Sequence, residues 1–149
     1  TRGEDKTIMK THAIAAEQSL HQAILLCPSN AFNELALGHC DLGFLYWMIG
    51  LFESARDHFE KSINYHEKTD NRIGSGISRL ILAQMYLSTL KTQQAHVLVH
   101  DFLHRARAFA RAALNDFQHY KGINDYVDTC QRLLADIDRR FKDNKAGPK

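Results

Sequence analysis

The chain has 149 residues, 44% hydrophobic and 24% charged, enough to bury a core without disulfides or a structural metal. A formal net charge of +2 gives no bulk argument for a nucleic-acid or membrane partner. Two prolines and eight glycines exclude collagen, linker-like disorder and most all-β folds, which need many turns.

The N-terminal stretch TRGEDKTIMK is polar and is no signal peptide. Residues 1–6 are expected to be a disordered end, followed by a single helical domain over 7–142 and a disordered tail over 143–149. Both polar ends read as cut sites, so a fragment of a larger protein is expected. Ile8, Ala13, Ala16, Leu20, Ala23, Ile24 and Cys27 line one side of a first helix, 7–26. Pro28 cannot continue it, and Ser29 or Asn30 can cap the next. A second helix is predicted over 30–49, with Gly50 as a left-handed C-terminal cap. A third runs over 52–68 and carries Ala55, Phe59, Ser62 and Ile63. Asp70 or Asn71 can cap a fourth over 72–89, whose first turn Gly74 and Gly76 weaken. Residues 94–120 lack Gly and Pro and read as one long helix or two in tandem. Lys121-Gly122 breaks it, and a last helix covers 123–142. Six helices with short connections must lie antiparallel to their neighbours, giving an all-α stack of hairpins or a bundle.

An internal repeat favours the stack. Leu42-Gly43-x-x-Tyr46 is followed by Ala55, Phe59 and Ser62, and the frame returns as Leu82-Ala83-x-x-Tyr86 with Ala95. A weaker copy is Leu133-Leu134-x-x-Ile137. The first helix carries a second-helix pattern, Ala16, Leu20 and Ala23, closed by Pro28. Small residues at 43, 55 and 83 let paired helices approach closely, while Tyr46 and Phe59 fill the wedge between hairpins. This pattern resembles the tetratricopeptide repeat family, in its longer variety of roughly forty residues per unit. Leu42, Gly43, Tyr46, Ala55 and Phe59 match the family signature, whereas His39 stands at the tryptophan position and Glu67 at the proline. A competing frame places Ala106, Ala110 and Ala113 in the second-helix role, aligning ARDHFEKSI with ARAFARAAL. Leu37-Gly38 offers a rival frame earlier.

The resemblance implies a right-handed superhelix whose first helices line a concave face. The outward row would be Cys40, Phe44, Trp47 and Met48, then Ile77, Leu80, Gln84 and Leu87. That row is apolar, so it suits an amphipathic helix or a neighbouring domain of the same polypeptide, unless it is simply core. It lacks the Lys, Asn and Arg with which carboxylate-clamping members of the family grip a chain terminus. Exposed end helices would allow homo-oligomers.

Other chemistry is sparse. His96, His100 and His104 share one helix face, yet span about 12 Å and cannot all reach one ion. Arg107 and Arg111 could join a basic footprint for nucleic acid, against the plainer alternative of solvated pairs such as Asp136 with Arg140. No nucleophile elbow, P-loop or dinucleotide-binding glycine motif occurs, so no enzyme and no cofactor are expected. Cys27, Cys40 and Cys130 are odd in number and widely spaced, fitting reduced thiols in a cytoplasmic protein. No apolar run approaches the roughly 20 residues of a membrane span. The expected function is a non-catalytic protein–protein interaction module or scaffold segment. A regulatory segment packed on a catalytic domain is the alternative.

Overall fold

The computed structural model describes residues 1–90 and 96–145, and the side chains of all of these but 96 and 97. Six helices make up 88% of the described residues, with no strand among them. They are α1 (Arg2–Leu26), α2 (Phe32–Met48), α3 (Phe52–Lys68), α4 (Arg72–Thr89), α5 (His96–Gln118) and α6 (Asn124–Lys145). The fold is therefore all-α and built of helical hairpins. No helix among the described residues is long and apolar enough to cross a membrane.

The single domain expected over 7–142 divides into two compact units, Thr1–Asp70 and Asn71–Lys149. The end expected to be disordered at 1–6 is also different: residues 2–6 form the first turns of α1. Glu4 and Asp5 favour that start through the helix dipole. Of the tail expected at 143–149, residues 143–145 belong to α6 and the rest lie outside the described residues.

In the first unit, α1 stops where Cys27 becomes extended ahead of Pro28. At the end of α2, Gly50 takes a φ of 83°. Its N–H donates to the Trp47 carbonyl at 3.1 Å and the Leu51 N–H to the Tyr46 carbonyl at 2.8 Å. This pair of bonds is the left-handed glycine cap that the sequence predicts. The α2/α3 hairpin then closes on Gly43, where an added Cβ would lie 2.8 Å from the Phe59 ring. Leu42, Ala55 and Phe59 are fully buried there, and the Ser62 hydroxyl donates to the Ala36 carbonyl at 2.8 Å. Burying one such ring contributes about 2–3 kcal/mol. Tyr46 stacks on His58 with ring centroids 5.3 Å apart. Gly38 lets Ile24 of α1 approach α2, with 2.9 Å left for a Cβ.

In the second unit, Asn71 caps α4 by accepting the Gly74 N–H at 2.9 Å. Gly76 lies inside α4, where an added Cβ would meet the Phe117 ring of α5 at 2.8 Å. Leu80, Ala113, Phe117 and Cys130 form a core cluster, with Ile77, Leu114 and Ile123 packed against it. Beside it, Arg79 pairs with Asp116, which also accepts from the Ser75 hydroxyl at 3.1 Å. Tyr86 stacks on Phe109, centroids 5.9 Å apart. Within the described residues, 96–118 is one helix rather than two in tandem.

The two ring pairs bear on the rival frames. Tyr86 stands forty residues beyond Tyr46, and Phe109 fifty-one beyond His58. The same fifty-one carries Ala55, Phe59 and Ser62 onto Ala106, Ala110 and Ala113, and all six are fully buried. The frame through Ala106 thus matches the packing. Ala95, the answering residue of the other frame, lies outside the described residues.

Candidate functional site

The outer face of α2 is the most apolar exposed surface among the sites expected. Cys40 and Trp47 are half-buried, Phe44 is 38% exposed and Met48 76% exposed. Phe44 is held rather than free. Its ring stacks on Trp47 at 6.2 Å and meets Phe59 edge-on at 5.5 Å, so the hairpin core fixes its orientation.

Beside this row, α1 and the C-terminal end of α2 enclose an apolar groove of about 940 Å³. Met9, Ala13 and Ile14 form one wall, and Leu45, Met48 and Ile49 the other. Lys6 and Lys10, one helical turn apart, stand at its rim. α1 carries no buried residue along its length.

The second half of the expected row behaves differently. Leu80 and Leu87 are buried, and Leu80 belongs to the core cluster of the second unit. Ile77 is half-buried and packs on the same cluster, and Gln84 is half-buried. Leu80 is therefore core and not a groove-lining residue, because α5 and α6 supply its neighbours. α4 is apolar over most of its circumference, so helical period alone could not say which side faces inward.

A polar cluster joins the three helices of the first unit. The Nδ1 atoms of His39 and His58 lie 2.9 Å apart, so one ring donates and the other accepts. Tyr46 donates to Glu17 Oε1 at 2.6 Å, and its hydroxyl lies 3.3 Å from His21 Nε2. His39 also stacks on Tyr65 at 5.6 Å. Burial pushes His39 down to about 4, with smaller contributions from His58, Lys61 and His21. His58 is lowered too, chiefly by burial. Tyr46 is pushed up to about 12 by burial and by Glu17. Both histidines are therefore neutral near pH 7. Sequence reasoning missed this cluster because positions 21, 39 and 58 sit on three helices with no local spacing to link them.

Of the histidine stripe, the His96 side chain lies outside the described residues. His100 and His104 are exposed and set edge-on against Phe141 of α6, at 5.6 and 4.9 Å. Arg107 lies over the other part of that contact, 4.0 Å from the ring centroid, and bonds Asp138 at 2.7 Å. These contacts tie α5 to α6. Arg140 bonds Asp136 at 3.1 Å, the pairing anticipated as the plainer alternative. No group of three or more His, Cys, Asp or Glu among the described residues is placed to hold a metal ion. Cys27, Cys40 and Cys130 form no disulfide, and burial pushes the Cys130 thiol up to about 11.

No family model matches the chain, and no curated protein or solved structure matches it either.

Proposed function

We propose that this chain is a non-catalytic interaction module that presents the outer face of α2 to an amphipathic helix of a protein partner. The observation that carries this reading is the contiguous row Phe44, Trp47 and Met48, large and apolar, left at the surface yet oriented by Phe59 beneath it. Pre-oriented aromatic side chains lose little entropy on binding, and such residues supply much of the affinity of protein interfaces. Cys40 completes the row on α2. The apolar surface of α4 is not part of the proposed site, since Leu80 is core.

We also infer that the α2/α3 and α4/α5 hairpins are copies of one tetratricopeptide-like unit. The matching ring pairs and the Ala55 and Ala106 registers support this. The copies differ by compensation. Gly43 opposes the Phe59 ring, and the corresponding positions, 83 and 110, are both alanine. The His39 and Tyr65 stack of one hairpin corresponds to the Arg79 and Asp116 ion pair of the other. Three cysteines without a disulfide fit a reducing compartment such as the cytoplasm.

The test is affinity capture with the wild-type chain and with Phe44→Asp, quantified by mass spectrometry. The expected result is a partner depleted at least tenfold in the variant while its circular dichroism is unchanged. Collapse of helicity would place Phe44 in the core, and an unchanged capture profile would move the function off this row.

A further inference from the structure

The exposed side of α2 keeps a coiled-coil spacing. Glu34, Leu37, Asp41, Phe44 and Met48 are all exposed and stand three, four, three and four residues apart. That alternation is the 3.5-residue period with which one helix lies along another at a crossing of about 20°. The seam is about 21 Å long at 1.5 Å per residue. Leu37, Cys40, Asp41 and Phe44 hold the i, i+3, i+4 and i+7 places, the four corners of a hole that receives one side chain of a facing helix. Two carboxylates set the sign of this seam. Neither Glu34 nor Asp41 has an ion-pair or hydrogen-bond partner among the described residues, and α2 contains no Lys or Arg. The helix dipole accounts for Glu34 in the first turn. It does not account for Asp41, which sits in mid-helix between Leu37 and Phe44. Cations elsewhere in the unit are engaged or distant along the seam. Lys68 lies over the Phe32 and Tyr65 rings, and Lys61 acts on His39 and His58. Lys6 and Lys10 share a groove with Met48 at the far end, and Glu17 lines that groove with them. The Glu34 to Asp41 half is therefore acidic, and the Met48 end carries both signs.

We propose that the helix seated on α2 is a basic amphipathic helix of a protein partner, packed along this seam as in a coiled coil. The proposal rests on the reading of the Phe44 row as a docking face and extends that face to Leu37 and Asp41. Apolar side chains of the guest enter beside Leu37, Phe44 and Met48. Lys or Arg residues flanking them meet Asp41 and Glu34. A cation there gains a partner as water leaves the contact, whereas a carboxylate would be set against Asp41. A second copy of the chain does not fit. Asp41 is the midpoint of the seam, so two-fold pairing of α2 with itself would bring Asp41 against its own copy.

The probes are two helix-stapled peptides of about three heptads, alike in a leucine seam at three-four spacing and differing only in whether lysine or glutamate flanks it. Trp47 emission of the 149-residue chain reads binding, since the peptides carry no tryptophan. The lysine peptide should bind saturably, and the glutamate peptide at least tenfold more weakly. Glu34→Lys together with Asp41→Lys should reverse that order at unchanged circular dichroism, since both side chains are exposed. Asp41→Asn should cut the preference severalfold and is the deciding variant if the double reversal misfolds. Phe44→Ala, which removes the ring without adding charge, should abolish binding of the lysine peptide. Equal binding of the two peptides, both lost with Phe44→Ala, overturns the charge assignment and leaves the docking face standing. Failure of both peptides to bind, or binding that Phe44→Ala leaves unchanged, overturns the docking face as well. A wild-type dimer in sedimentation velocity that Phe44→Ala dissociates also overturns the proposal, by giving the seam to a second copy.

Discussion

His39 and His58 show how a pair of side chains can make a whole unit sensitive to acid. Their facing nitrogens share one proton at 2.9 Å, and a second proton would set two donors against each other. Every helix of the unit contributes to the field around them: Glu17 and His21 from α1, Tyr46 from α2, Asp57 and Lys61 from α3. Because His39 is lowered to about 4, the unfolded chain takes up protons near pH 6.5 while the folded chain does not. Stability contributed by the neutral pair is therefore complete above about pH 6.5 and declines as pH falls toward 4. A shift of that size corresponds to about 3 kcal/mol. Thermal melts at pH 7.5 and 5.0 should show a lower midpoint at the acid value, and His39→Gln should shrink the difference. A midpoint independent of pH over that range would sink this account. Such a pair could not be read from sequence, since no spacing rule joins residues on three separate helices. Gly50 and Asn71, in contrast, act within one turn of their own position, and both were legible as caps.

At the scale of elements, the hairpins are set by what a glycine leaves open. A Cβ at Gly43 would enter the buried Phe59 ring, and one at Gly76 would enter Phe117. Helix propensity alone favours alanine over glycine by about 1 kcal/mol. The packing argument predicts the opposite sign, a loss of about 1–3 kcal/mol for Gly43→Ala or Gly76→Ala. Urea unfolding followed at 222 nm checks this, and stabilisation by either substitution would show that the ring yields. The role of Gly43 was legible because Leu42, Tyr46 and Ala55 share its frame. The packing role of Gly76 was not legible, because its partner Phe117 is forty-one residues away. The helix over 94–120 posed a similar difficulty. Its alanines offer more than one register, and only the packing shows that Ala106, Ala110 and Ala113 are the buried ones. α1 was legible as a helix from its apolar period, but nothing in its own residues could say that none of them would be buried.

For the whole molecule, the fold class was legible from helical period, paired breaks at Pro28, Gly50 and Gly122, and the lack of strand-like alternation. Division into two compact units was not, because the connection at Asp70 and Asn71 is as short as any other. The functional claim rests on the first unit, where apolar side chains remain at the surface, and not on the second, where Leu80 turned out to be core. Trp47 is the chain's single tryptophan, so its fluorescence reports on the proposed interface without a label. The most direct measurement is its emission as a partner recovered by capture is titrated in. The account predicts a shift to shorter wavelength as water is excluded from the row, and no shift with Phe44→Asp at equal helicity. Saturable partner binding that leaves Trp47 emission unchanged would contradict it.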